Sequence, residues 1–345
     1  MGAGVIARAA HTENNGRRRR ILARSCDARR AEWARCGCYR RARVTVAALH
    51  RDPEQQTALL SVDFEDWHQL VRRRLGEPGY ERPGPALRRQ TESLLTVLEE
   101  LDARATFFVL GMAARAHPEL LAPVLAAGHE VACHGDSHLP VSRQGPDEFQ
   151  SDLRAARATI EELTGRSPLG YRAPAFSITQ QVGWAYEVLR AEGFAYDASQ
   201  HDSPRIRHRV APAIPAPHAL ALRDGRSLWE FPVAVWRTGP ARVPVGGASY
   251  WGVMPTAAVL HGLARAGPLP GLYLHPHEFD PRPLDASLAP GAPPRRRAEA
   301  ALRSAQRNAA RRRAPDVLRA IARRFRLIPY GEAYDELSAR PPARP

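Results

Sequence analysis

The sequence predicts an α/β fold, a parallel sheet closed into a distorted (β/α) barrel with a C-terminal helical extension, and three observations carry it. Short apolar runs alternate with helix-period segments from Ala58 to His275, with no internal repeat. Four of those runs end in Asp, Glu, His or Arg, which a buried strand does not otherwise need. Residues 58–290 carry a net charge of −3 between two basic ends, a length that suits one barrel of about 250 residues.

Ala58-Leu59-Leu60-Ser61-Val62-Asp63-Phe64 reads as the first buried strand. Pro85 then opens a helix with Leu87, Leu94, Leu98 and Leu101 on one face. Ala105–Leu110 is the second strand, stopped by Gly111, and a helix over 113–126 is closed by Gly128. His129–His134 is the third strand. Asp147 is the expected cap of a helix bearing Phe149, Leu153, Ala156, Ile160 and Leu163, which Gly165 ends. Gly170–Ala173 is a strand end, 179–192 a helix, and Phe194–Tyr196, Leu228–Val233 and Leu272–His275 further strands. Residues 201–225, rich in Pro, His and Arg, read as a long loop. Arg295–Arg324 reads as helical, with Val317, Leu318, Ile321 and Phe325 packing a last helix onto the barrel. The expected division is therefore 1–57 basic and without a hydrophobic period, 58–290 barrel, 291–337 helical extension and 338–345 tail.

The chain has 345 residues and a net charge of +14, and all 50 of its basic residues are arginine. Total absence of lysine beside abundant Ala, Pro and Gly points to GC-rich coding. Residues 1–57 hold 13 Arg against 5 acids and residues 291–345 hold 14 against 5. Because the positive charge sits in the ends, no nucleic acid is expected on the core, and weak contact with an anionic membrane is left to the Arg-rich ends. No run approaches the roughly 20 apolar residues of a membrane span. The start lacks the apolar stretch of a secretory signal, so the expectation is cytoplasmic. Four cysteines do not make a disulfide framework, and Cys36-Gly-Cys38 has the wrong spacing for a zinc knuckle.

In a parallel barrel, functional groups gather at the C-terminal ends of the strands. Here those ends read Asp63-Phe64-Glu65-Asp66-Trp67-His68, His134-Gly135-Asp136-Ser137-His138, Arg172-Ala173-Pro174 and His275-Pro276-His277-Glu278. Two imidazoles and a carboxylate make a three-ligand site for a divalent ion, leaving a position for water. Such an ion lowers the pKa of water and polarises a carbonyl, a further carboxylate can act as base, and a separate histidine as acid.

The runs ALLSVDFEDWH, ATFFVLG, GHEVACHGDSH, GYRAPAFS, YDAS, WEFPV and LYLHPHEFDP stand in the order of the NodB-homology polysaccharide deacetylases, carbohydrate esterase family 4, and the chain resembles that family over about 58–330. Asp-x-Glu-Asp-Trp, RAPAFS, HPxEFDP, GGASYWGVMP and RRFRLIPY resemble the subgroup encoded with exosortase-linked exopolysaccharide loci. The resemblance implies a divalent cofactor, most readily Zn2+, and an N-acetylhexosamine polysaccharide or oligosaccharide as substrate. It implies that Asp63 is the base, Arg172 its hydrogen-bonding partner and His275 the acid that protonates the leaving amine. His134 and His138 match the two histidine ligands. Glu230 falls near the acid that orients the histidine, and Trp229 near an aromatic wall. Trp67, Tyr171, Pro174, Trp229, Glu230 and His277 form the expected substrate contacts.

Three departures from the family pattern matter. Phe64 occupies the position of the family's metal-binding Asp, so the third ligand is Glu65 or Asp66. Alternation turns Glu65 to the side of Asp63, while Asp66 could turn in from the loop. His277 stands where the subgroup has Trp, and Glu230 is one methylene longer than Asp. Among other histidines, His129 is expected to be structural and His68 a candidate substrate contact. Cys133 is expected in the core, and His201, His208 and His218 solvated. Phe176, Tyr250 and Trp251 could stack on sugar rings or pack the core. The competing readings are a two-His-one-carboxylate iron oxygenase or other metal-dependent C–N hydrolase, a carbohydrate-binding barrel without activity, and a protein that binds anionic surfaces through its ends.

Overall fold

In the computed structural model, the structure describes residues 41–43, 55–77, 82–203, 214–286 and 288–339. Expectations for most of 1–57, including Cys36-Gly-Cys38, for His208 and for the last residues of the tail lie outside that set. Among the described residues no helix is long and apolar enough to cross a membrane.

The ring begins with β2 (Gln56–Phe64), and β3 (Thr106–Val109), β4 (Glu130–Cys133), β5 (Gly170–Tyr171), β6 (Tyr196–Asp197) and β8 (Ser227–Glu230) follow it side by side, all parallel. β11 (Gly271–Leu274) pairs parallel with the other edge of β2. The ring closes where Val233, just beyond β8, bridges Gly271 and the Ala234 N–H donates to the Gly271 carbonyl at 2.9 Å. Two of the strands, β5 and β6, are only two residues long, which is the distortion in this barrel.

Alternation in β2 explains both sides of its wall. Ala58, Leu60, Val62 and Phe64 face outward into the large core under the helices, with Phe107, Val109 and Cys133 of the neighbouring strands. Leu59 faces inward with Phe108, Ala132 and Tyr196. Just past β2, α1 (Trp67–Arg74) packs in a separate cluster with Leu284 and Ala300, while the helices that cover the outer face include α2 (Ala86–Glu100), α3 (Gly111–Ala116), α4 (Leu121–Ala126), α5 (Pro146–Thr164) and α6 (Trp184–Ala191). The expected helix over 113–126 is split, with a short 3₁₀ turn at Pro118–Leu120 between α3 and α4, because Pro118 cannot donate into a continuous ladder. The cap of α5 lies two residues before the expected one. Gly145 is its N-cap, Pro146 occupies the first turn, and the Glu148 carboxylate accepts the Gly145 N–H at 2.9 Å. Gly165 ends it in the left-handed region (φ 69°), as read from the sequence.

Residues 201–225 are not one long loop. His218–Ala221 form β7, antiparallel to β8 and to the short β1 (Arg41–Arg43), and His218 is buried at 1% exposure instead of solvated. A hairpin of β9 (Val235–Thr238) and β10 (Ala241–Pro244) follows, then α7 (Ala248–Trp251) and α8 (Thr256–Leu263). The C-terminal part is helical as expected over α9 (Pro294–Arg311) and α10 (Ala314–Ala322), with Val317, Leu318 and Ile321 buried. Phe325, however, begins a strand. β12 (Phe325–Ile328) pairs parallel with the first half of β2, and α11 (Tyr330–Ser338) follows it. Tyr330, Ala333 and Leu337 enter the interior cluster of the barrel, so α11 plugs the end opposite the C-terminal ends of the strands.

Candidate functional site

Inward alternation along β2 continues from Leu59 through Ser61 to Asp63, and Glu65 follows on the same side. Asp63 is 3% exposed and lies against Arg172, which stands just past β5 and is fully buried. The Arg172 Nη1 donates to Asp63 Oδ1 at 2.7 Å and to Ser61 Oγ at 2.6 Å, its Nε to the Ala198 carbonyl at 3.0 Å, and its Nη2 to the Tyr330 hydroxyl at 3.1 Å. The Phe108 ring lies 4.1 Å from the guanidinium carbon. A charge this deep is tolerable only because each of its nitrogens is bonded and a carboxylate neutralises it.

Glu65, His134 and His138 come together at the mouth. His138 Nε2 is 2.8 Å from Glu65 Oε2, and His134 Nε2 is 3.6 Å from the same oxygen. Burial acts to raise the Glu65 carboxyl, but the imidazoles of His138, His134 and His275 hold it well below the usual carboxylate range. His134 directs Nδ1 at the Arg172 carbonyl, 2.8 Å away, so Nδ1 donates there and Nε2 is the ring atom turned toward Glu65. His138 sits in the left-handed region (φ 54°). That conformation is held by Asp152 of α5, whose carboxylate accepts the Asp136 N–H, the Ser137 N–H and the Ser137 hydroxyl. A divalent cation fits these three donors: two imidazole nitrogens and one anion, nearly buried, with one imidazole already oriented by its second nitrogen.

Asp66, the other carboxylate left open by the sequence, is turned away from this set. It caps α1, its Oδ1 accepting the His68 N–H at 2.9 Å, and its Oδ2 accepts the Gly84 N–H at 2.6 Å. The metal-ligand expectation for Asp66 is therefore corrected. His68 shares Asp66 Oδ1 through its own ring nitrogen and is half-buried against Trp67.

His275 follows β11, with Nε2 3.6 Å from Glu65 Oε1 and 4.0 Å from Asp63 Oδ2. Burial acts to lower its pKa, but Glu278, then Glu65 and Asp63, push it up to about 9. The acid beside it is Glu278, not Glu230. Glu278 Oε2 is 3.4 Å from His275 Nδ1 and accepts the His275 N–H at 2.8 Å. The i, i+3 spacing within HPHE was the signal for this pair, since one turn of 3₁₀ helix brings those positions together. Glu230 alternates to the outer side of β8, where it is fully buried beside Asp197 and accepts the Gln200 N–H at 3.0 Å. Burial and the Asp197 carboxyl raise Glu230 well above its usual range.

The expected substrate contacts are mostly packing residues. Tyr171 points outward from β5 into the core, 1% exposed, between the Phe149 and Phe194 rings. Trp67 is 6% exposed in a cluster with Val71, Leu75 and Leu284. Trp229 stacks on Phe231 beside the plug helix, and Pro174 and His277 are buried. The rings nearer the mouth are Phe176 and Tyr273, 4.9 Å apart, with half-buried Tyr250 packed against them. His201 is buried against Phe176 instead of solvated, and burial brings its pKa down to about 4. Trp251 is core, its indole N–H donating to the Val245 carbonyl at 2.8 Å. Cys133 is core as expected, and burial pushes its thiol up to about 12. His129 is structural as expected, its Nδ1 accepting the Ala105 N–H at 3.2 Å.

Residues 81–194 match the family model of polysaccharide deacetylases, and residues 203–331 match a domain of unknown function (DUF3473). A chitooligosaccharide deacetylase of Bradyrhizobium sp. (strain ANU 289) is 34% identical over 125 residues, 36% of this chain and 54% of that protein. A peptidoglycan-N-acetylglucosamine deacetylase of Bacillus cereus is 28% identical over 116 residues, 33% of this chain and 53% of that protein. The chain spans about half the length, or less, of the curated relatives it matches. A Mycobacterium smegmatis structure assigned as a polysaccharide deacetylase has a TM-score of 0.56 at 21% identity, covering 89% of this chain and 99% of that one. The Puue allantoinase structure has a TM-score of 0.54 at 15% identity, covering 86% of this chain and 94% of that one. Both likenesses concern the fold. The family match falls on the segment that carries His134, His138 and Arg172, and residues 81–194 are similar to a polysaccharide deacetylase domain of the NodB-homology type.

Proposed function

We propose that the protein is a divalent-metal-dependent deacetylase that hydrolyses the N-acetyl group of N-acetylhexosamine units in a polysaccharide or oligosaccharide. The observation that carries this reading is the meeting of Asp63, His275 and the Glu65–His134–His138 set at one barrel mouth, with a base on one side and an acid on the other. The named substrates of the Bradyrhizobium and Bacillus relatives support the substrate class. A cation held by Glu65, His134 and His138, with zinc the best match to that donor set, would supply Lewis acidity toward water and the acetamide carbonyl.

The protein's own groups then have separate tasks. Arg172 holds Asp63 Oδ1, which leaves Oδ2 to take a proton from the attacking water. His275, protonated at neutral pH with Glu278 beside Nδ1, gives its Nε2 proton to the nitrogen as the C–N bond breaks. Water and amide are consumed, and acetate and a free amine are formed. The motifs shared with exosortase-linked loci support a place in exopolysaccharide biosynthesis.

The test is acetate release from N-acetylglucosamine oligomers, with and without chelator. Chelation should abolish release and zinc should restore it, while Asp63→Asn should lower kcat by about 10²–10⁴-fold. No chelator-sensitive release from any N-acetylated glycan would overturn the reading.

A further inference from the structure

His277 lies on the 3₁₀ turn Pro276–Phe279 and is 1% exposed. Among the described residues, neither of its ring nitrogens has a hydrogen-bond partner. Burying such a group unpaired costs about 1–3 kcal/mol, so the position calls for an explanation. Its ring neighbours are Trp67 at 6.1 Å and His275 at 5.1 Å, and neither is hydrogen-bonded to it. His275 Nδ1 also lacks a hydrogen bond, although it faces Glu278 Oε2 at 3.4 Å. One ligand atom from each of His275, His277 and Glu278 lies within 4.8 Å of the others. The 3.4 Å separation is close to the roughly 3.3 Å edge of a tetrahedral shell built with zinc bonds of about 2.0–2.1 Å.

We propose that His275, His277 and Glu278 form a second divalent-cation site beside the Glu65–His134–His138 set, and that filling it inhibits the enzyme. The inhibitory part rests on the role of His275 as acid. The ring whose Nε2 lies 3.6 Å from Glu65 Oε1 and 4.0 Å from Asp63 Oδ2 is the same ring whose Nδ1 would hold the second cation, 3.4 Å from Glu278 Oε2. A cation on Nδ1 ties that ring to Glu278 and His277, so the catalytic mouth and the second site compete for one side chain. The second site is the weaker of the two. Glu278 Oε1 already accepts the Ser249 hydroxyl at 2.5 Å, Oε2 also accepts the His275 N–H, and the Arg307 guanidinium donates to Ser249 Oγ at 2.6 Å, so positive charge stands close by. It therefore fills at the higher metal concentration.

The intact chain, stripped by chelator, is titrated with Zn2+ while bound zinc per chain is measured by equilibrium dialysis and acetate release is followed in parallel. Binding is read as a difference between proteins, because the N-terminal cysteines can take zinc of their own. Wild type should bind one zinc more than His277→Phe and one more than His134→Ala, and two more than the double variant. Wild-type activity should rise with the first zinc and fall at least tenfold with the second, and His277→Phe should lose the fall. His277→Leu repeats the measurement if the Phe variant does not fold. Equal zinc binding by wild type and the His277 variants overturns the site. Wild-type activity that does not fall as the second zinc binds overturns the inhibition. Since the difference in bound zinc does not depend on turnover, a protein that releases no acetate from any glycan but still shows the second zinc would fail as a deacetylase and keep the site.

Discussion

Arg172 is the residue on which Asp63, the barrel interior and the plug helix converge. Its guanidinium is fully buried and bonds Asp63, Ser61, Ala198 and Tyr330. Arg172→Met strands the Asp63 carboxylate, and breaking a buried pair this way costs about 3–5 kcal/mol. Urea midpoints of wild type and variant measure it, and a loss under about 1 kcal/mol would contradict the account. His129 gives a pH prediction at the same scale. Burial, then Arg104, brings its pKa from 6.5 to about 4. Below about pH 6.5 the unfolded chain takes up a proton that the folded ring refuses until about pH 4. The stability held by the neutral ring is thus full above pH 6.5 and is lost as pH falls toward 4, at about 3 kcal/mol for a fully shielded ring and about 2 kcal/mol with solvent screening of this partly open one. His129→Asn, which can still accept the Ala105 N–H, should flatten the drop in unfolding free energy between pH 7 and pH 4.5. An unchanged slope would assign the acid sensitivity elsewhere. His134, His138, Arg172 and His275 were all legible as residues, because polar side chains at strand ends stand out against apolar runs. The choice between Glu65 and Asp66 was not, because it turns on the Gly84 N–H, which comes from another loop.

At the scale of elements, α11 and β12 tie the C-terminal end of the chain to the site. β12 lengthens the sheet beside β2, and α11 fills the closed end of the barrel with Tyr330, Ala333 and Leu337. At that end Glu130 accepts the Thr106 hydroxyl, the Tyr196 hydroxyl and the Gly331 N–H, so strand β4 is bonded directly to the plug. Tyr330→Phe removes the hydroxyl that meets Arg172 and leaves the ring packing. It should cost about 1 kcal/mol of stability and lower kcat severalfold with KM nearly unchanged, since the hydroxyl acts on Asp63 only through Arg172. A change in KM alone, seen in steady-state kinetics, would count against that link. The long strands and helices were readable from period and from stops such as Gly165. β7, β9, β10 and β12 were missed because each is four residues long, polar in part, and stable only through its partner. FRLI reads as the tail of an arginine-rich helix until β2 is beside it.

For the whole molecule, the charge distribution and the metal set make different claims. The mildly acidic middle of the chain gathers its carboxylates where three of them, Asp63, Glu65 and Glu278, meet His275. A cation that binds only the folded state stabilises it by about 2.7 kcal/mol at a hundredfold excess over its dissociation constant. Zinc should therefore raise Tm by several degrees, and His134→Ala should remove most of that rise in a thermal melt. A full shift in the variant would assign the effect to other ligands. Order along the chain was enough to establish the α/β alternation, the strand ends that carry chemistry, and the donor types available there, because periodicity and residue type are local properties. Folding alone assigned Glu65 rather than Asp66 to the imidazoles, Glu278 rather than Glu230 to His275, and Tyr171 to the core. Each of those outcomes depends on which way a side chain leaves its strand or loop and on which distant hydrogen-bond partner is waiting there, and neither is written in local sequence.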